Sequence, residues 1–172
     1  MSPTSRRRLA PLLPLVLALV ACTDRAASSA APAPAPEAVF RTLAGERLVL
    51  GEARGPVLVS FWSTACAICL EEMPELVALY DDYAARGVEL VAVAMPHDPP
   101  NAVLEFAESR GLPFPVAIDL DGAVLAAFEP IPGTPASVLV DADGRIVERH
   151  LGRHDFPALR RRLDALLADA RA

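Results

Sequence analysis

The sequence predicts an α/β sandwich built on a mixed β-sheet, and three observations carry that prediction. Two runs, Val57–Trp62 (VLVSFW) and Val88–Ala94 (VELVAVA), are apolar almost without alternation, as strands buried on both faces are. Helix-periodic stretches alternate with the strands. Near the C-terminus Ala136–Val140 and Arg145–Leu151 flank an Asp-Ala-Asp-Gly turn, a hairpin, and a last helix follows it.

In chain order, Val39–Leu43 and Arg47–Leu50 read as short strands around Ala44-Gly45. After the strand 57–62, Cys66–Arg86 has the helical spacing Leu76, Leu79, Tyr80, Tyr83 and a stop at Gly87, with a kink expected at Pro74. Asp98 is placed to cap a helix that begins at Pro99 or Pro100 and ends at Gly111. Val116–Ile118 is a short strand, Asp121-Gly122 a turn, and Ala123–Phe128 a short helix. Asp155 caps a final helix with apolar positions Leu159, Leu163, Leu166 and Leu167. The order is β-β-β-α-β-α-β-α-β-β-α.

Ahead of this domain, expected at 37–172, lie two other segments. Residues 1–21 join Arg6-Arg7-Arg8 to a short apolar run too brief for a membrane span, which reads as an export signal. The run ends Leu19-Val20-Ala21-Cys22, which resembles a bacterial lipobox and makes Cys22 the candidate lipidation site. Residues 22–36 are rich in Ala, Pro and Ser and cannot bury a core, so they read as a tether. The expected location is the periplasm, anchored to a membrane by lipid, and export places the remaining cysteines where disulfides persist. The net charge is −6, or −9 once the three signal arginines are removed, which argues against nucleic-acid binding.

Chemistry concentrates in Phe61–Pro74, FWSTACAICLEEMP. One Cys-x-x-Cys pair with no nearby histidine is short of a zinc site's four ligands, so no metal is assigned. Residue 70 is leucine, which excludes the haem-attachment pattern. A four-residue disulfide loop restrains the unfolded chain little. A redox pair remains, with no cofactor required. Cys66 falls at a helix N-terminus, where unpaired N–H groups and the helix dipole favour a thiolate, so Cys66 is the nucleophile and Cys69, one turn in, the resolving thiol. Glu72 follows Cys69 by one turn; a partly desolvated carboxyl there would relay protons, whereas an exposed one would be an ordinary surface glutamate like Glu71. Trp62, ending a buried strand, reads as core, and His150 and His154 as surface residues.

The stretch FWSTACAICLEEMPEL resembles the active-site region of TlpA/ResA-type thioredoxin-like disulfide reductases. Phe61-Trp62-Ser63-Thr64, the cysteine pair, Glu72-Met73-Pro74 and Gly133-Thr134-Pro135 with the strand after it fall in the family's order across roughly 37–170. The resemblance implies a thioredoxin-like fold with an N-terminal β-hairpin and a disulfide-reductase activity. It also implies a cis bond at Pro135 that sets the Thr134 backbone beside the cysteines to bind substrate, and a proton-managing role for Glu72. Where many members carry tryptophan before the first cysteine this chain has Ala65, which reduces the surface offered to substrate. The expected partners are protein disulfides, with the haem-attachment cysteines of apocytochrome c as one candidate, and a membrane thiol electron donor; the expected state is a monomer. Two other readings compete with this one. A peroxiredoxin-like peroxidase needs Pro-x-x-x-Thr-x-x-Cys, but Ser63 and Val59 stand at those positions. A copper chaperone needs a histidine beside the pair, for which His150 or His154 is a poor candidate.

Overall fold

A computed structural model describes residues 32–170. The segment expected to be an export signal, the candidate lipidation site Cys22 and most of the expected tether lie outside the described residues. Eight strands are present: β1 Ala33–Pro34, β2 Val39–Arg41, β3 Arg47–Val49, β4 Val57–Trp62, β5 Glu89–Ala94, β6 Val116–Ile118, β7 Ala136–Val140 and β8 Arg145–Leu151. The helices are α1 Ala67–Tyr83, α2 Pro100–Arg110, α3 Ala123–Ala127 and α4 Phe156–Asp169.

Six strands form one mixed sheet in the order β1-β8-β7-β4-β5-β6. β4 runs parallel to β5, and β5 to β6, while β7 is antiparallel to both β4 and β8. β2 and β3 form a separate hairpin. The apolar run of β4 is explained by its central place: all six residues are buried, and successive side chains enter opposite cores. Leu58 and Trp62 join Leu76, Leu79 and Tyr83 of α1 and Leu159, Leu163 and Leu166 of α4 on one face. Val57, Val59 and Phe61 join Phe40, Val124 and Phe128 on the other. The spacing of three and four along α1 and α4 thus covers one side of the sheet, and the hairpin with α3 covers the other.

α1 runs unbroken through Pro74 and closes in a short 3-10 turn over Ala84–Arg86, with Gly87 left-handed at its end. Gly55 tolerates no side chain: a Cβ there would stand 2.0 Å from the Gly87 carbonyl oxygen. Asp155 caps α4 by accepting from the Ala158 N–H at 2.9 Å.

Two expectations need correction. The tether does not extend to residue 36, because Ala33 and Pro34 pair antiparallel with Ile146 and Arg145 and Ala35 donates to the Gly144 carbonyl. Composition hid this edge strand, since an Ala-Pro repeat reads as polyproline whether or not a neighbour accepts it. Asp98 does not cap α2, whose first turn has no side-chain cap; its carboxylate is drawn to β4's end instead. At α3 the capping acid is Asp119, which accepts from Val124 and Leu125.

Candidate active site

Because β4 and β5 are parallel, with Trp62 opposite Ala94, the segments that follow them emerge at the same edge of the sheet. That edge is where crevices open in parallel sheets. One segment is Ser63–Cys66, the other Met95–Asp98. Cys66 is the N-cap of α1 in extended conformation, and its Sγ accepts from the Cys69 N–H at 3.2 Å. The two cysteines form a disulfide with Cα atoms 5.2 Å apart. Their environments differ: Cys66 is half-buried, while Cys69 is 2% exposed. Between them Ile68 is 45% exposed, and Ala65 before them is also exposed.

The loop before Cys66 is tightly bonded. Asp98 Oδ1 accepts from Ser63 Oγ at 2.9 Å, from the Thr64 N–H at 3.1 Å and from Thr64 Oγ1 at 2.6 Å. Ser63 Oγ accepts from the Ala65 N–H at 3.1 Å, and the Ser63 carbonyl accepts from the Cys66 N–H at 3.1 Å. Ser63 and Asp98 are buried and were missed as site residues in the sequence. The signal was partial: Asp98 follows the second of the two unbroken apolar runs, as the cysteines follow the first.

Glu72 lies on the buried face of α1 with Cys69 and Met73, whereas Glu71 beside it is exposed. Glu72 Oε1 accepts from the His154 N–H at 2.5 Å. Arg153 forms an ion pair with Glu71, so two adjacent residues of the loop after β8 hold two adjacent carboxylates of α1. Burial raises the Glu72 carboxyl above the usual carboxylate range; the His154 N–H and the charges of Arg153 and His150 oppose that rise. His150 and His154, expected at the surface, are only partly exposed there. They are half-buried and stacked, with ring centroids 4.4 Å apart, and His154 also meets Phe156 at 5.6 Å. Burial, with the His150 charge beside it, lowers His154 from 6.5 to about 4.

The Thr134–Pro135 bond is cis, as is Glu129–Pro130, which the sequence reading did not anticipate. Ala136, next along, stands opposite Phe61 on one side and Leu151 on the other, and the Pro135 carbonyl accepts from Gly152 at 2.8 Å. Trp62 is core, packed on Phe106 with centroids 5.2 Å apart. A cavity of about 220 Å³ between hairpin and sheet, lined by Phe40, Leu50, Val57 and Leu90, has neither cysteine in its wall. Among the described residues no cluster of three His, Cys, Asp or Glu side chains is arranged to hold a metal, and no helix is long and apolar enough to cross a membrane.

The chain is similar to known proteins in sequence and in fold. The Redoxin family matches residues 30–166. A thiol-disulfide oxidoreductase ResA from Bacillus thuringiensis (strain Al Hakam) is 37% identical over 119 residues, 69% of this chain and 68% of the relative. Among solved structures, a thioredoxin-family thiol:disulfide interchange protein from Chlorobium tepidum superposes with a TM-score of 0.74 at 25% identity, covering 81% of this chain and 99% of that one. A secreted Mycobacterium tuberculosis disulfide oxidoreductase, described as homologous to DsbE of E. coli, gives a TM-score of 0.64 at 25% identity, covering 75% and 96%.

Proposed function

This chain belongs to the Redoxin family as a thiol–disulfide oxidoreductase of the ResA type, and from that membership we infer that it passes electrons to protein disulfides outside the cytoplasm. The observation that carries the reading is the asymmetry of the pair: a half-exposed Cys66 at a helix N-terminus and a buried Cys69 behind it. The Cys66 thiolate attacks a substrate disulfide, forms a mixed disulfide and releases one substrate thiolate, which takes up a proton. Cys69 then loses its proton and attacks Cys66 Sγ, releasing the second substrate thiolate, which takes that proton up. The enzyme ends as the Cys66–Cys69 disulfide, having given two electrons and the Cys69 proton, while the first thiolate is protonated from solvent. Glu72, one turn beyond Cys69 and with a carboxyl that burial raises above its ordinary value, takes the Cys69 proton and hands it to the departing thiolate. The half-buried Thr134, ahead of a buried Pro135, and the exposed Ala65 receive the substrate chain in extended form. A membrane dithiol donor restores the reduced pair, and the haem-attachment cysteines of apocytochrome c are one substrate of the right chemistry.

Direction is tested in the cell. If electrons are supplied, rapid acid quenching followed by alkylation finds Cys66 and Cys69 mostly as thiols. A pair trapped mostly as disulfide in growing cells excludes a supplied reductase.

The anchor rests on Leu19–Cys22. Lipidation of Cys22 would hold a monomeric domain at the periplasmic face of a membrane. Mass spectrometry of the mature N-terminus is then expected to show acylated Cys22, and an unmodified terminus beyond residue 22 rules the anchor out.

A further inference from the structure

The loop that carries Cys66 is gathered on a single oxygen. Three donors from Ser63 and Thr64 converge on Asp98 Oδ1, and Ser63 passes the constraint on through its bonds to the N–H groups of Ala65 and Cys66. Asp98 is 4% exposed. Its other oxygen, Oδ2, has no protein hydrogen-bond partner, and the only other such buried side-chain atom among the described residues is Trp62 Nε1. Buried polar groups left unpaired are rare and call for a reason. No ion pair among the described residues includes Asp98.

We propose that Asp98 is the positioning residue of Cys66 and sets how readily that thiol ionises: Oδ1 fixes the loop, and the buried charge, with no cation against it, disfavours a thiolate at Cys66. The proposal rests on the reading of Cys66 as the attacking thiol. Its physics is a contest. The N-terminus of α1 favours the thiolate, and a carboxylate two residues away through the Thr64 N–H opposes it. A less stabilised thiolate makes the dithiol form a stronger electron donor, because stabilising the reduced form is what makes an oxidant. The other ionisable groups around the site are His97, 3.5 Å from Ser63 Oγ, Glu72 on α1, and behind it Glu71 with Arg153, His150 and His154. Of these Asp98 alone is bonded to the loop through three donors.

Asp98→Asn separates the two roles, since its amide oxygen still accepts from the loop while the charge is gone. In the reduced full-length protein, the pH midpoint for iodoacetamide alkylation of Cys66 is expected to move down. At a pH below that midpoint alkylation speeds up about threefold to tenfold. The dithiol–disulfide equilibrium against glutathione shifts toward dithiol by a similar factor. Thr64→Val keeps the charge and loses one donor, so its attack rate per thiolate falls while its midpoint does not move down; it keeps the test open if Asp98→Asn fails to fold. An Asp98→Asn midpoint equal to wild type, even with lowered stability, overturns the effect on ionisation. An unchanged attack rate in Thr64→Val overturns the positioning. Alkylation that lands first on Cys69 in the wild type overturns the parent reading and this proposal with it, whereas an unmoved midpoint with Cys66 alkylated first overturns this one alone.

Discussion

Replacing Cys66 by serine is expected to lower protein-disulfide reduction by roughly a thousandfold or more, the usual scale for loss of a nucleophile. Replacing Cys69 by serine should instead stop the enzyme halfway. Cys66 can still attack, but nothing then attacks Cys66, so a mixed disulfide with substrate accumulates. The geometry explains why the two are not interchangeable. Cys66 Sγ accepts from the Cys69 N–H at the start of α1 and Cys66 is half-exposed, whereas Cys69 is 2% exposed. A protein substrate cannot reach a sulfur at that depth without opening the helix. Non-reducing gels of Cys69→Ser after incubation with a disulfide substrate should show the adduct, and those of Cys66→Ser should not. Equal adducts from both variants would mean that the order of attack is wrong.

Glu72→Gln is expected to slow reduction about tenfold to a hundredfold near neutral pH, at and below the low end of what positioned acid–base groups contribute. The same change should make the protein more stable at neutral pH. In the unfolded chain the carboxyl titrates at the ordinary 4.5, and in the native state burial raises it. As pH climbs through that window the native state keeps a proton that the unfolded chain has lost, so stability falls, and the full penalty is present above the native value. Glutamine resembles the protonated acid and can still accept from the His154 N–H. Thermal melts of variant and wild type should therefore agree near pH 4 and diverge upward in pH, the variant melting higher. His154 acts in the opposite sense. Lowered from 6.5 to about 4, it stays neutral in the native state while the unfolded chain takes up a proton, so its contribution is lost as pH falls from 6.5 towards 4. That ramp is common to both proteins and cancels in their difference. Melts that differ equally at every pH would remove Glu72 as a buried titrating group, and an unchanged pH–rate profile would remove it from proton transfer.

What could be read in the sequence followed how local each signal was. β4 and β5 were legible because strands buried on both faces leave unbroken apolar runs, and α4 because four leucines at helical spacing mark one face. Cys66 and Cys69 were legible because their chemistry depends on neighbours three residues apart. The β1 pairing was not, since an Ala-Pro strand is specified by Arg145 and Ile146 more than a hundred positions away. Asp98 was misassigned for a related reason. Ahead of Pro99-Pro100 it has the local form of a helix cap, but three donors delivered by β4 outcompete an α2 first turn whose prolines offer no N–H. The stacked His150 and His154 follow from the turn between β8 and α4 doubling back onto α1, which no periodicity encodes.

The eleven residues from Ala33 to Leu43 also settle how this sheet ends. Ala33–Pro34 lies along β8, and at the far side Thr42 bridges Ala117 while Leu43 donates to the Val116 carbonyl at 2.8 Å. One short N-terminal stretch therefore supplies the border strand beside the start of β8 and lies against β6 at the opposite border. Exposed borders are templates on which a second copy can add a strand, and a proline, lacking an N–H, is a poor template. A chain trimmed to begin at Glu37 would keep every residue of the redox centre and free the backbone of Arg145 and Ile146, lengthening the stretch of β8 on which a foreign strand could add.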